Sequence, residues 1–261
     1  MRESILHKIK ANIIQSLFGL CLFFILIFVK SHLFSKSIGS LPVIAYITYL
    51  LAAVLLILYA RKRFIKEPIL PKFRIHNLLI KGYGFLLSAI MSLGLFYGLN
   101  YLFEPPGDMF KIKAVFNLAT VLSVFIAVFI EELIFRYYMS GTLTGKKSDF
   151  YIYLITSSLA FSLLHAFSYN VYVLCYIFFY GIALGMLYIL TQNIGVPLGL
   201  HFANNYYITI SADNNDVVYS PQSFSEVLKD NNIIIIIIAI VYVWWVCQYY
   251  LFKQAPPKGK M

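Results

Sequence analysis

The chain has 261 residues, of which 61% are apolar, 18% aromatic and only 12% charged, and its mean hydropathy is +0.78. A soluble domain carries roughly 45–50% apolar and about 25% charged residues. That gap excludes an ordinary soluble enzyme, a disordered chain and a nucleic-acid binder, in spite of 21 basic against 11 acidic residues and a net charge of +10.

A bilayer core takes about 20 apolar residues per helix. On that measure the sequence predicts eight spans, in chain order residues 12–29, 41–60, 78–103, 114–140, 150–167, 171–190, 196–211 and 233–252. The first run is too long and too cleanly apolar for a cleaved signal, and no small-residue cleavage site follows it, so it reads as a retained span. The fifth and seventh are short and carry polar residues. Glu104-Pro105-Pro106-Gly107-Asp108 is a turn, and Ser223-x-x-Glu226 in the 213–232 connection has the spacing of a helix cap. Cys21, Cys175 and Cys247 lie in apolar runs with no CxxC and no ligand spacing, and read as small hydrophobes. Gly181-x-x-x-Gly185 and Gly195-x-x-x-Gly199 read as seams for close helix contact.

Cytoplasmic segments of membrane proteins collect Lys and Arg. With the N-terminus inside, fifteen of the 21 basic residues fall on inner segments, Arg61 among them, five fall on outer ones, and Arg136 lies within a span. The expected fold is therefore all-α: a polytopic membrane helix bundle of about eight transmembrane helices with both termini cytoplasmic. It forms one integral-membrane domain, residues 1–261, and the basic surplus faces lipid headgroups.

Nine of the eleven acids fall in termini or connections; Glu131 and Glu132 sit side by side inside the fourth span. Of five histidines, His165 and His201 fall within the fifth and seventh spans. A charged side chain at mid-membrane costs roughly 2.5–3.5 kcal/mol on insertion scales. Glu132 and Arg136 are spaced i, i+4 and can pair. Glu131 lies about 100° round the helix and is left to face a cavity. His201 and Asn205 share a helix face, and both can donate to an oxyanion on an attacked carbonyl; Asn204 points elsewhere. Phe161, one turn before His165, packs against it. The bland alternatives are a buried ion pair that fixes packing, a hydrogen-bonded core histidine and an asparagine that cross-links helices. Four ionisable groups besides the arginine, on three spans, are harder to explain as packing.

Three motifs, in order in three different spans, resemble the CAAX prenyl protease and bacteriocin-immunity (CPBP, or Abi) family of intramembrane proteases. Two Glu, three residues and Arg is met by Glu131-Glu132-Leu133-Ile134-Phe135-Arg136. Phe, three residues and His is met by Phe161-Ser162-Leu163-Leu164-His165. His, three residues and Asn is met by His201-Phe202-Ala203-Asn204-Asn205. The resemblance covers the motif-bearing core, residues 114–211. It implies peptide-bond hydrolysis within the membrane: Glu131 and His165 activate a water, His201 and Asn205 stabilise the oxyanion, and Glu132, Arg136 and Phe161 support them. It also implies a multi-pass protein of a bacterial cell membrane. The expected nucleophile is a directly activated water, with no certain cofactor and a divalent ion kept open. Glu131, His165 and His201 could supply three ligands of a zinc site with an open position, although the HExxH pattern is absent.

The expected partners are a peptide or lipidated protein substrate and membrane lipids, with no nucleic acid; nothing in the sequence sets an oligomeric state. The alternative function is a non-catalytic bacteriocin self-immunity or scaffold protein that binds a peptide or partner. A proton relay or transporter predicts a repeated half, which is absent from the sequence, and a haem bundle with His165 and His201 as axial ligands leaves the Glu pair idle.

Overall fold

The computed structural model of the protein describes residues 13–14, 17–18, 21, 25–26, 42–64, 78–103, 118–142 and 147–212. Most of the predicted first span, all of the last, the connections at 104–108 and 213–232 and both termini lie outside these residues. Every described element is helical: α1 (Pro42–Phe64), α2 (Leu78–Phe103), α3 (Leu118–Glu132), a π-helical segment (Leu133–Tyr138), a 3-10 turn (Met139–Thr142), α4 (Lys147–Leu164), α5 (Val171–Thr191) and α6 (Gly195–Ala212). Among them Leu118–Gly141 and Val171–Thr191 are each long and apolar enough to cross a membrane.

The second, third, sixth and seventh predicted spans coincide with α1, α2, α5 and α6 to within a few residues at each end. Two spans differ in kind. The fourth, expected as one helix, changes winding directly after Glu132. There the backbone opens to i→i+5 bonding, with the Met139 N–H donating to the Ile134 carbonyl. Every side chain from Leu133 to Tyr138 is buried, including the bulky Phe135, Arg136 and Tyr138. Such a segment has no solvent face, and α1, α4 and α5 surround it. The Tyr153 hydroxyl of α4 donates to the Phe135 carbonyl at 3.3 Å, so a neighbouring helix takes up part of the altered backbone bonding.

The fifth span ends at Leu164, three residues early, so His165 stands in the turn after α4 and not inside a helix. The reason is local. The N–H groups of His165 and Ala166 bond back to Ser162 and Leu163 at 3.0 and 3.1 Å, an i→i+3 tightening of the last turn. Asn170 then caps α5 from extended backbone, its Oδ1 accepting from the Tyr172 and Val173 amides at 3.1 Å each. At the far end of α5, Gln192 takes a left-handed φ of 51° and donates its N–H to Tyr188 at 2.8 Å. Asn193 Oδ1 accepts from the Gly195 amide at 2.9 Å and so starts α6.

Burial follows one pattern. Tyr49, Ala53, Ile57 and Ala60, at spacings of four, four and three, form a buried stripe on α1, which packs on α3 and the π segment. The opposite faces of α1 and α2 expose Leu51, Leu55, Tyr59, Leu87, Ile90 and Met91. An apolar exterior of this kind marks an aggregation surface in water and an ordinary one in lipid.

Both glycine seams serve as predicted. On α6, a Cβ at Gly195 would overlap the Lys81 carbonyl of α2, and one at Gly199 would overlap the Phe85 carbonyl and Ser88 Oγ. On α5, a Cβ at Gly181 would lie 3.1 Å from Ser158 Cβ and 3.2 Å from Phe161 Cδ1 of α4, and one at Gly185 would lie 2.9 Å from Leu154 Cδ2. Helix propensity favours alanine over glycine by up to about 1 kcal/mol, but the α6 contacts are with backbone, which cannot rotate away. Gly199→Ala is therefore expected to lower unfolding stability in detergent by about 1–3 kcal/mol. Gly94→Ala, where nothing lies within 4 Å, is expected to be neutral or stabilising. Equal melting shifts for the two variants would contradict the seam.

Candidate functional site

The last turn of α3 and the π segment deliver three charged side chains to the interior. Glu131 is 7% exposed, and Glu132 and Arg136 are both 0% exposed. The winding change falls between Glu132 and Arg136, yet their i, i+4 relation survives: Arg136 Nε lies 3.3 Å from Glu132 Oε2. Neither atom meets hydrogen-bond geometry, so the pair is a charge contact rather than an aligned bond.

His201 arrives from α6, 2% exposed, along the same helix whose Gly195 and Gly199 press it against α2. Its Nδ1 lies 2.9 Å from Glu132 Oε1. Its Nε2 lies 3.6 Å from Glu131 Oε2, a charge-range contact too long for a hydrogen bond. A carboxylate accepts, so Nδ1–H is the donor. Nε2 is the nitrogen left facing Glu131. Glu131 Oε2 makes no hydrogen bond to the protein. Glu132 thus holds two partners at once, one more than the i, i+4 spacing alone implies.

Phe161 of α4 is the common wall. Its ring lies 5.2 Å from the His165 ring and 5.4 Å from the His201 ring, edge-on to both, with the Arg136 guanidinium 5.1 Å from its centroid. His165 is half-buried, and its Nδ1 is 3.0 Å from the Phe161 carbonyl. A carbonyl only accepts, so Nδ1 carries a proton and Nε2 is the ring nitrogen turned away from Phe161. Asn205, one turn beyond His201, accepts a 3.3 Å bond from Asn204 Nδ2 at its Oδ1. With its oxygen engaged, Asn205 has an NH2 donor to offer.

The structure therefore gathers Glu131, Glu132, Arg136, His201 and Phe161 in direct contact. His165 joins through the Phe161 ring. Asn205 stands one turn along α6 from His201, bonded to Asn204. Asn204, set aside on the sequence, is the residue that orients Asn205. For a zinc site the arrangement does not fit: among the described residues no group of three or more His, Cys, Asp or Glu side chains is placed to hold a metal ion.

Sequence reasoning missed Tyr180 of α5. Its ring lies 5.8 Å from His201 at 78°, and its hydroxyl donates to the Leu200 carbonyl at 3.2 Å, just before the imidazole. The one available signal was its place beside Gly181, in the seam that brings α5 onto Phe161. Arg61, counted among the inner-segment cations, is buried against Tyr137.

Removing one member of a buried ion pair strands the other at about 3–5 kcal/mol. Arg136→Met is expected to destabilise the protein by that order in a denaturant titration. The double variant Glu132→Gln/Arg136→Met, which removes both charges, is expected to recover part of the loss. Full additivity of the two single changes would show that the pair is not coupled.

Residues 113–207 match the family model described as Type II CAAX prenyl endopeptidase Rce1-like. No curated protein and no solved structure matches the chain. The match opens just before α3 and closes just after Asn205, so it encloses Glu131, Glu132, Arg136, Phe161, His165, His201 and Asn205. The segment that builds this site is thus the part of the chain that is similar to Rce1-like type II CAAX prenyl endopeptidases.

Proposed function

We propose that this protein is a multi-pass intramembrane endopeptidase that cleaves a peptide bond near the C-terminus of a prenylated or otherwise membrane-held peptide. The observation that carries the reading is Glu131: a buried carboxylate whose Oε2 has no protein hydrogen bond, set beside an imidazole that a second glutamate holds in place. The Rce1-like match over the same residues supports the reaction class, and the apolar outer faces of α1 and α2 support the setting.

In this reading the water oxygen attacks the scissile carbonyl carbon while its proton passes to the Glu131 carboxylate. His165 Nε2 orients the same water as an acceptor. The carbonyl π bond becomes an oxyanion, which accepts hydrogen bonds from His201 Nε2–H and the Asn205 NH2. For His201 to donate there, both its nitrogens carry protons, with Nδ1–H held by Glu132. As the intermediate collapses, the C–N bond breaks and the proton on Glu131 moves to the leaving amine. Glu131 then regains its charge and the cycle closes. Every proton is accounted for within the site, and no step runs through a metal.

The eight-span topology with both termini inside, in a bacterial cell membrane, completes the proposal. A peptide held by a lipid at the inner face would reach the site laterally, without crossing the bilayer.

Purified protein is to be tested on prenylated and unprenylated CAAX peptides and on a leader peptide, with and without chelator. Glu131→Gln, nearly isosteric, is expected to reduce cleavage by roughly 10²–10⁴-fold while helix content is kept. Asn205→Ala is expected to cost on the order of 10²-fold, mainly in kcat. Undiminished cleavage by Glu131→Gln would defeat the proposed chemistry, and a phenotype that survives this change would favour a binding or immunity role.

A further inference from the structure

Arg61 lies in α1, outside the Rce1-like segment, yet it is 5% exposed and sits against the π segment. Its Nη1 donates to the Tyr137 carbonyl, and its guanidinium lies over the Tyr137 ring, 3.7 Å from the centroid. Ser140 Oγ donates to the same carbonyl at 3.0 Å. Among the described residues no carboxylate pairs with Arg61, and its Nη2 makes no hydrogen bond. A buried cation without a counter-charge is expensive; here a backbone carbonyl and an aromatic face compensate it.

Tyr137 is where the winding is about to change again, from i→i+5 bonding to the 3-10 turn at Met139. It directly follows Arg136, and its carbonyl belongs to the peptide unit that joins it to Tyr138. A guanidinium that both stacks on the ring and bonds the carbonyl fixes that unit in rotation as well as position. Ile57 and Ala60, 0% and 2% exposed, seat the same stretch of α1 on the core, so the grip is anchored. From Tyr137 the contacts run on through named atoms: Arg136 Nε to Glu132 Oε2 at 3.3 Å, then Glu132 Oε1 to His201 Nδ1 at 2.9 Å.

We propose that Arg61 is a positioning residue: it clamps the wide turn after Glu132 and thereby sets where Arg136, Glu132 and His201 stand. Its effect on catalysis rests on the peptidase reading above; its effect on His201 does not. A lysine at this position carries the charge but lacks the flat, forked group that stacks and bonds together.

The test uses the full-length protein in detergent, as wild type, Arg61→Met and Arg61→Lys. Each is assayed for kcat and KM on the prenylated peptide. Nitrogen-labelled histidine spectra follow the His201 ring, assigned by its loss in His201→Gln. Arg61→Met is expected to lower kcat on the order of 10²-fold with KM little changed, and to shift the His201 resonance at unchanged helix content. Arg61→Lys is expected to regain only part of both. If Arg61→Met fails to fold, Arg61→Lys is judged on the same two readouts. An unmoved His201 resonance overturns the clamp whatever the rate does. Should the wild type cleave nothing, the peptidase reading fails, and the resonance alone still decides the clamp.

Discussion

Glu132 is the charge on which the interior of this protein depends. It is fully buried, and it stays compatible with an apolar surround because Arg136 approaches one oxygen and His201 the other. Burying an ion is unfavourable by several kcal/mol, and the attraction of a single partner need not offset it. Two partners from two helices change that balance and create a constraint. The end of α3 and the middle of α6 must stay in register, or the carboxylate is stranded. Glu131, one residue earlier, inherits this fixed position without being consumed by it.

The rest of the fold serves to keep those helices close. α6 can bring His201 to the glutamates only because it presents no side chain where it presses on α2, at Gly195 and Gly199. α4 and α5 meet in the same way at Gly181 and Gly185, which draws Phe161 and Tyr180 against the imidazole from two sides. Between helices in lipid there is little hydrophobic drive to associate, so close backbone contact and polar bonds carry the packing. The seams and the charged cluster are two parts of one arrangement: the first permits the second, and the second fixes the distance at which the first closes.

Much of this was legible in the sequence. Hydropathy located α1, α2, α5 and α6 to within a few residues, because a run of apolar side chains leaves few alternatives to a helix. The i, i+4 spacing gave the Glu132–Arg136 contact, and the GxxxG spacings gave the seams. The π segment was not legible. Leu133–Tyr138 is as apolar as a helix interior, and the side chains that meet its carbonyls, Tyr153 and Arg61, reach it from elsewhere in the chain. For the same reason the second partner of Glu132 was hidden, since nothing local to residue 132 names residue 201. His165 was placed inside a span by hydropathy, which cannot register the capping of α5 by Asn170.

The wide turn also bears on how this region tolerates insertions and deletions. Relative to an α-helix, i→i+5 winding absorbs an extra residue without breaking the helix. Excising one residue between Leu133 and Tyr138 would let the backbone rewind to i→i+4 while the helix beyond keeps its direction. A deletion before Arg136 would change its spacing from Glu132 from i, i+4 to i, i+3, still on one face, and leave the hydropathy profile almost unchanged. The wide turn is thus a place where the chain can lose a residue and keep its helices.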